Sequence, residues 1–260
     1  MDLGIKGKRA IITGGSKGIG LETAMLLAAE GAQVAIVARS VEPLKAAAEK
    51  IVAKTGVEPL IISADVSVEA DVQRAVEAAA DRFGGIDILV NNAGTSAAKP
   101  FEAVDAAAWS ADLDLKLFGA IHFTRAALPF LRKSEGGAIV NVTAIGGKTP
   151  SGSSLPTSVS RAAGLALTKA MSKDLAADGI RVNAVCIGLI RSDQIERMWQ
   201  ATAPNLTWDE FAADPRHDIP LRRIGRTEEA ANVIAFLVSD AASYVTGTSV
   251  NIDGGKAAVL

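Results

Sequence analysis

The amino-acid sequence predicts an α/β fold: a doubly wound, parallel, seven-stranded sheet with helices on both faces, in a single domain over residues 1–260. Short runs rich in Ile and Val alternate along nearly the whole chain with longer runs rich in Ala, Leu, Glu and Lys, which is the pattern of strands and their covering helices. A chain of 260 residues that is 49% hydrophobic can bury one large core. It has no room for a separate substrate domain.

The predicted strands read, in chain order, RAIIT, QVAIVA, PLIIS, IDILV, AIVNVT, RVNAV and TSVNI. The main helices between them cover 19–30, 41–55, 70–83, 105–132, 156–178 and 228–239. Thr227 followed by two glutamates starts the last helix, and glycines stop the first five. These glycines are Gly31, Gly56, Gly84, Gly85, Gly136, Gly137 and Gly179. Ligands of such sheets bind beyond the carboxyl ends of the strands, so the site should be built from the loops after Thr13, Ala38, Ala64, Asn91, Thr143 and Cys186.

Charge and composition favour a small-molecule substrate. The net charge is -2, the pI is near 5.8 and the cations are dispersed, so neither nucleic acid nor an anionic membrane is indicated as a partner. The single cysteine, Cys186, excludes an internal disulfide, and the two histidines, His122 and His217, are too distant in sequence to suggest a metal site. No apolar run approaches membrane-spanning length, and the N-terminus lacks the apolar core of a signal peptide. We therefore expect no metal and a cytoplasmic location.

Two glycine-containing segments lie at strand ends. TGGSKGIG, over 13–20, follows the first strand and opens a helix, and NNAG, over 91–94, follows the fourth. Gly14, Gly18 and Gly20 would let the backbone approach a pyrophosphate while the helix N-terminus directs its free amides at the anion. Three glycines alone are a weak motif. Together with Asp65 and Val66 after the third strand, however, the two segments resemble the short-chain dehydrogenase/reductase family, and the resemblance spans nearly the whole chain.

This resemblance implies a Rossmann-type fold, a nicotinamide cofactor and a reaction between CH–OH and C=O. The implied cofactor-binding residues are Gly14, Ser16, Lys17, Gly18, Ile19, Gly20, Arg39, Ser40, Asp65, Val66, Asn92, Ala93, Gly94, Arg161, Gly188, Ile190 and Ser192. At the end of the second strand a carboxylate would bind the ribose 2′-hydroxyl of NAD(H), whereas a cation would bind the 2′-phosphate of NADP(H). The strand ends in Ala38, Arg39 and Ser40, and Lys17 lies in the glycine loop. The sequence thus predicts that NADP(H) is preferred over NAD(H), the alternative being that Arg39 merely faces solvent.

The reaction centre departs from the family pattern. Relatives generally carry a serine soon after the fifth strand, a tyrosine thirteen residues later, a lysine four residues beyond it, and an asparagine in the preceding long helix. Those four catalytic positions hold Ala144, Thr157, Arg161 and Lys116 in this chain. The only tyrosine, Tyr244, belongs to the approach to the last strand and cannot also be the missing phenol. A threonine hydroxyl is too weak an acid to replace that phenol, and an arginine stays protonated and cannot relay a proton.

Three interpretations of this centre stay open. The first is an oxidoreductase whose acid-base group has moved to Lys116, since burial beside Arg161 would lower the pKa of this lysine. The alternative role of Lys116 is a structural ion pair with Asp112, one helical turn earlier. The second interpretation is a lyase or isomerase in which Lys116 and Arg161 stabilise a carboxylate or enolate. The third is a non-catalytic nucleotide-binding relative. The first interpretation is our prediction.

Two features concern the surroundings of the site. The segment 190–220 is predicted to be a substrate lid with an apolar inner face, the alternative being an ordinary packed helix pair. Its apolar residues are Ile195, Met198, Trp199, Trp208 and Phe211. The long helices over 105–132 and 156–178 carry apolar residues on more than one side, which predicts a homo-oligomer, a tetramer by family resemblance. These residues include Leu117, Phe118, Phe123, Leu165, Leu167 and Met171.

Overall fold

Seven parallel strands form one sheet in a computed structural model, which describes residues 2–260. The strands are β1 Arg9–Thr13, β2 Gln33–Ala38, β3 Leu60–Ser63, β4 Ile88–Asn91, β5 Ala138–Ala144, β6 Arg181–Ile187 and β7 Ser249–Ile252. Their order across the sheet is β3-β2-β1-β4-β5-β6-β7. The predicted fold class is confirmed. Because the chain reverses its direction of travel across the sheet between β1 and β4, the carboxyl ends of these two strands border the crevice where ligands of such sheets bind.

The helices are α1 Gly18–Ala29, α2 Val41–Thr55, α3 Glu69–Phe83, α4 Ala106–Leu113, α5 Gly119–Leu131, α6 Thr157–Asp174, α7 Asp193–Thr202, α8 Trp208–Ala212 and α9 Thr227–Val238. The helix expected over 105–132 is present from Ala106 to Leu131, but a π-helical stretch, Asp114–Phe118, lies between its two α-helical parts, α4 and α5. The helix expected over 156–178 ends at Asp174 and is followed by a 3-10 turn, Ala176–Asp178. Gly179 follows that turn with φ 71°, a left-handed conformation that suits glycine.

Two apolar layers cover the two faces of the sheet. One joins α1, α2 and α9 to the strands, with Leu27, Ile36 and Leu237 fully buried. The other joins α3 and α5 to the opposite face and includes Phe123 and Leu131, both 0% exposed. Phe123, one of the apolar residues behind the predicted oligomer, lies on the covered side of its helix in this layer.

The segment 190–220 forms a small separate core together with Ile224, which follows it; the buried members are Ala203, Phe211, Ala212, Ile219 and Ile224. Trp199 and Trp208 meet edge to face above it, with ring centroids 5.7 Å apart. The apolar inner face expected for a lid is therefore wrong for Met198, Trp199, Trp208 and Phe211, which pack against one another inside the segment. Ile195 packs there too but also lines the cleft described below.

Within residues 2–260, none of the helices is long and apolar enough to cross a membrane. These residues likewise contain no group of three or more His, Cys, Asp or Glu side chains that could hold a metal ion.

Candidate active site

The glycine loop between β1 and α1 forms a tight turn at the crevice. Gly14 and Gly18 have φ values of 65° and 55°, which side-chain-bearing residues rarely adopt. A Cβ on Gly20 would lie 2.5 Å from Nδ2 of Asn92, so only glycine fits there. That Nδ2 donates to the carbonyls of Thr13 and Gly14 at 3.0 and 3.1 Å, which fixes the loop against β4.

The N-terminus of α1 is suited to an anion. Its N-cap residue, Lys17, makes no side-chain cap, and its first turn holds no acidic residue. The first amides of the helix are therefore available to a ligand, and the helix dipole favours negative charge at this position. The turn and the helix end together fit the pyrophosphate of a dinucleotide.

A cleft of about 470 Å³ extends from this loop past the carboxyl ends of β5 and β6. Ten of the predicted cofactor-binding residues line it: Gly14, Lys17, Gly18, Ile19, Asn92, Gly94, Arg161, Gly188, Ile190 and Ser192. The catalytic positions Ala144 and Thr157 line the same cleft. The structure thus brings the cofactor loop and most of the predicted reaction centre into one cavity.

Other predicted residues lie outside that lining: Ser16, Gly20, Arg39, Ser40, Asp65, Val66 and Ala93. Arg39 and Ser40 are exposed at the end of β2. The carboxylate of Asp65 accepts hydrogen bonds from the backbone and hydroxyl of Ser67, at 2.9 and 2.7 Å. Val66 is 6% exposed and packs in the second apolar layer, so its side chain is a core group.

Lys17 has a partner that the sequence did not indicate. Its Nζ lies 2.8 Å from a carboxylate oxygen of Asp193, at the start of α7. The two side chains are 62% and 56% exposed. The cation that was expected to bind a cofactor phosphate is thus engaged with the segment 190–220.

Lys116 lies in a buried polar cluster beneath the cleft. The side chains of Lys116 and Asp112 are 1% and 2% exposed and form an ion pair. Nζ of Lys116 also donates to Oγ1 of Thr157 at 3.0 Å. Ser160 donates to the other oxygen of Asp112 at 2.6 Å. The structural pair with Asp112 is therefore present, and the hydrogen bond to Thr157 connects Lys116 to a residue of the cleft.

The electrostatic surroundings of Lys116 act in opposite directions. Burial is the largest influence and lowers the pKa of Lys116 from its usual value, the hydrogen bond to Asp112 raises it, and the positive charge of Arg161 lowers it. The resulting pKa is lowered, as the sequence interpretation anticipated, because desolvation disfavours the ammonium form.

Arg161 is fixed between the cleft and the sheet. Its Nη1 donates to the carbonyl of Val142 at 2.7 Å, while its buried Nε has no hydrogen-bonding partner among residues 2–260. A Cβ on Gly94 would lie 2.9 Å from Nη2, so the absence of a side chain at Gly94 leaves the guanidinium its place. Arg161 also borders a small cavity of about 20 Å³ that reaches Lys116 and Asn91.

Comparison with known proteins decides the family. The sequence profile described as Enoyl-(Acyl carrier protein) reductase matches residues 14–257. The chain belongs to the short-chain dehydrogenase/reductase family. It is 34% identical over 249 residues to the 3-oxoacyl-[acyl-carrier-protein] reductase FabG of Staphylococcus epidermidis, covering 95% of this chain and 98% of that protein.

Solved structures of two proteins of this family are closely similar. A short chain oxidoreductase from Pseudomonas aeruginosa PAO1, described as containing an atypical catalytic center, has a TM-score of 0.95 and 37% identity, with both chains covered over 100%. L-Sorbose reductase from Gluconobacter frateurii, complexed with NADPH and L-sorbose, has a TM-score of 0.93 and 34% identity, again over 100% of both chains. An NADPH-bound structure of the Pseudomonas protein matches with a TM-score of 0.91 and 37% identity, over 96% of this chain and 97% of that one.

Several site residues were missed from the sequence. Thr95, Ser96, Gln194 and Arg197 line the cleft of this family member. Thr95 and Ser96 directly follow NNAG, so their position after β4 was an available signal. Ser160 was also missed, although it lies three residues after Thr157 on the same helix and therefore on the same face.

Cys186 and His217 have structural roles. Cys186 is 0% exposed, and burial raises the pKa of its thiol, which opposes formation of a nucleophilic thiolate. Nε2 of His217 lies 2.7 Å from the carbonyl oxygen of Phe211 and so joins the small core of the segment 190–220.

Proposed function

We propose that this chain is an NADP(H)-dependent oxidoreductase that interconverts a carbonyl and an alcohol, with Lys116 and Thr157 performing the proton transfer for which relatives use a tyrosine. One observation carries the proposal. Nζ of Lys116 donates at 3.0 Å to Oγ1 of Thr157, and Thr157 lines the cleft that also holds the glycine loop.

The cofactor assignment is supported by the fit of the loop and by charge. The glycine turn and the free amides of α1 suit a pyrophosphate, and Arg39 and Lys17 supply cations for a 2′-phosphate. Both neighbouring enzymes named above bind NADPH in their solved structures. When bound, the nicotinamide supplies or accepts the hydride.

The residues of this chain handle the proton. Oγ1 of Thr157 accepts hydrogen bonds from Lys116 and, at 2.9 Å, from the backbone amide of Ala97. Its own proton is then directed either to Asp112, at 3.4 Å, or into the cleft. During reduction this proton passes to the substrate oxygen as the hydride reaches the carbon, and Lys116 replaces it on Thr157. No threonine alkoxide accumulates, which removes the objection that the hydroxyl alone is too weak an acid.

Neither Arg161 nor Ala144 donates a proton to the substrate in this mechanism. Arg161 remains protonated and contributes a fixed positive charge that lowers the pKa of Lys116. Ala144 has no polar side-chain atom, so it donates no hydrogen bond to the substrate oxygen. The hydroxyl of Thr157 is therefore the donor that we assign to that oxygen.

The test is NADPH oxidation with a panel of carbonyl compounds that includes 3-oxoacyl thioesters and ketohexoses, the classes named by the relatives. Thr157→Ser keeps the hydroxyl and should keep most of the rate. Thr157→Val has nearly the same shape without the hydroxyl, and loss of a positioned proton donor should lower kcat by about 10²- to 10⁴-fold. A valine variant as active as wild type would contradict the relay. Cofactor binding without turnover of any compound would favour the non-catalytic alternative.

The cofactor preference has a separate test. Calorimetric titration should show tighter binding of NADP(H) than of NAD(H), and Arg39→Asp should remove the difference, since a carboxylate repels the phosphate and can accept from a ribose hydroxyl. Equal affinities in the wild-type protein would contradict the proposed preference.

We also propose a homo-oligomer, a tetramer by resemblance. Apolar side chains remain accessible on the helices that flank the site, with Phe118 44% and Val159 42% exposed, and a second subunit would cover them. Light scattering that gives a monomer at micromolar concentration would contradict this assignment.

We also propose that the segment 190–220 is a substrate lid, because Ser192, Gln194 and Arg197 form one wall of the cleft.

A further inference from the structure

The ion pair of Lys17 with Asp193 connects two parts of the cleft that are far apart in sequence. Its atoms lie 2.8 Å apart and join the glycine loop to the first residue of α7. Within the described part of the chain, Lys17 makes no other side-chain hydrogen bond or ion pair. The other carboxylate of the first turn of α7, Glu196, is paired with Arg191 at 2.8 Å. Asp193 is therefore the carboxylate of this turn that pairs with Lys17.

The next residue ties α7 to the opposite rim of the cleft. Oε1 of Gln194 accepts a hydrogen bond from the backbone amide of Ser96 at 3.3 Å. The first two residues of α7 thus contact the loop after β1 and the loop after β4. Much of the rest of the segment 190–220 packs on its own small core. The start of α7 is therefore where this segment is attached across the cofactor cleft.

We propose that Asp193 limits the preference for NADP(H) by competing with its 2′-phosphate for Lys17. The inference rests on the NADP(H) preference proposed above. Lys17 is one exposed ammonium group, and Asp193 and a phosphate are both anions that it can bind. Binding of NADP(H) through Lys17 then opens the pair with Asp193 and releases one of the two ties of α7, whereas NAD(H), which lacks the phosphate, leaves the pair in place.

Such competition makes NADP(H) bind more weakly than it would if Lys17 and Arg39 were present without the carboxylate of Asp193. The pair is more than half exposed on both sides, and exposed pairs contribute little free energy because water and salt screen them. Removing the competitor should therefore tighten NADP(H) binding by a modest factor, roughly 1.5- to 5-fold.

The experiment is calorimetric titration of NADP+ and NAD+ into wild-type protein and Asp193→Asn. We expect NADP+ to bind roughly 1.5- to 5-fold more tightly to the variant and NAD+ to bind equally to both proteins. Glu196→Gln is the matched control, because it removes one negative charge from the same turn without touching Lys17. In a Lys17→Met background, Asp193→Asn should have no effect on NADP+ binding.

The outcomes separate this inference from the function on which it rests. If wild type prefers NADP+ but Asp193→Asn changes nothing, the competition is wrong and the preference stands. An equal gain for both cofactors, an equal gain in Glu196→Gln, or a gain that persists in Lys17→Met would show a general charge effect and overturn the competition. Wild-type affinities that are equal for the two cofactors would instead contradict the proposed preference itself.

Discussion

Replacement of Lys116 by methionine tests the buried cluster most directly. The substitution keeps much of the side-chain length and removes the charge, so it leaves Asp112 buried without its cation. Ser160 remains a donor at 2.6 Å and Thr157 is a weaker one at 3.4 Å. Breaking a buried ion pair by removing one partner costs about 3–5 kcal/mol. For a chain of this size, that corresponds to a fall in Tm of about 6–20 °C.

The matched control removes both charges. Lys116→Met combined with Asp112→Asn leaves no unpaired ion, and the asparagine can still accept the hydrogen bond from Ser160. Replacing both partners of a buried pair with neutral groups is often close to neutral in stability. The double variant should therefore regain most of the stability that Lys116→Met loses.

The double variant should regain stability without regaining the rate of carbonyl reduction. Neither variant has a proton donor behind Thr157, so both should lose about 10²- to 10⁴-fold in the rate of carbonyl reduction. Urea unfolding measures the first quantity, and NADPH oxidation at a temperature where all proteins are folded measures the second. If the double variant regains both stability and rate, Lys116 is only the partner of Asp112 and the relay is wrong.

Three other outcomes are expected. In the proposed relay Lys116 donates in its protonated form, and burial lowers its pKa below the usual 10.5. The rate of carbonyl reduction should therefore fall as pH rises through that lowered pKa. A pH profile of kcat that shows no such fall at alkaline pH would contradict the assignment of Lys116. Glu229 has a pKa of about 2 because Arg223 stabilises its carboxylate. Glu229→Gln should therefore lower the free energy of unfolding by about 1 kcal/mol at pH 7, and the difference from wild type should vanish as pH falls from 4.5 towards 2. Urea unfolding at several pH values measures this difference. Thr157→Tyr, Arg161→Lys and Ala144→Ser together, with Lys116→Asn as a fourth change, should create or raise carbonyl reductase activity while single changes gain little; no gain in a folded variant that binds NADPH would refute this.

The fold could be predicted because its signals are local. Each strand is a short apolar run, and a glycine with positive φ terminates several helices, as at Gly56 with 73° and Gly84 with 77°. The glycine loop was recognisable for the same reason, since its turn and the following helix start lie within eight consecutive residues. The order of the strands across the sheet was not predicted and comes from the structure.

Contacts between distant segments were not predictable. The π-helical stretch at Asp114–Phe118 has no signal in the apolar periodicity, which runs on through it, yet it precedes Gly119, which packs against Val66. Lys17 and Asp193 are 176 residues apart, and nothing in either local sequence indicates the other. Met198 and Trp199 of α7 pack on the small core shared with α8 rather than on the cleft, and their spacing in the sequence does not indicate which of the two they face.

Lys116 shows why the two roles considered for it need not exclude each other. An ammonium group this deeply buried needs a countercharge, and Asp112 provides it on the same helical face. The same carboxylate opposes the fall in the pKa of Lys116, whereas burial and Arg161 promote it. A lysine without Asp112 would be neutral more readily and would lose the proton it is meant to supply. In the proposed relay, the ion pair therefore preserves the protonated donor, and the hydrogen bond to Thr157 is the route of its proton into the cleft.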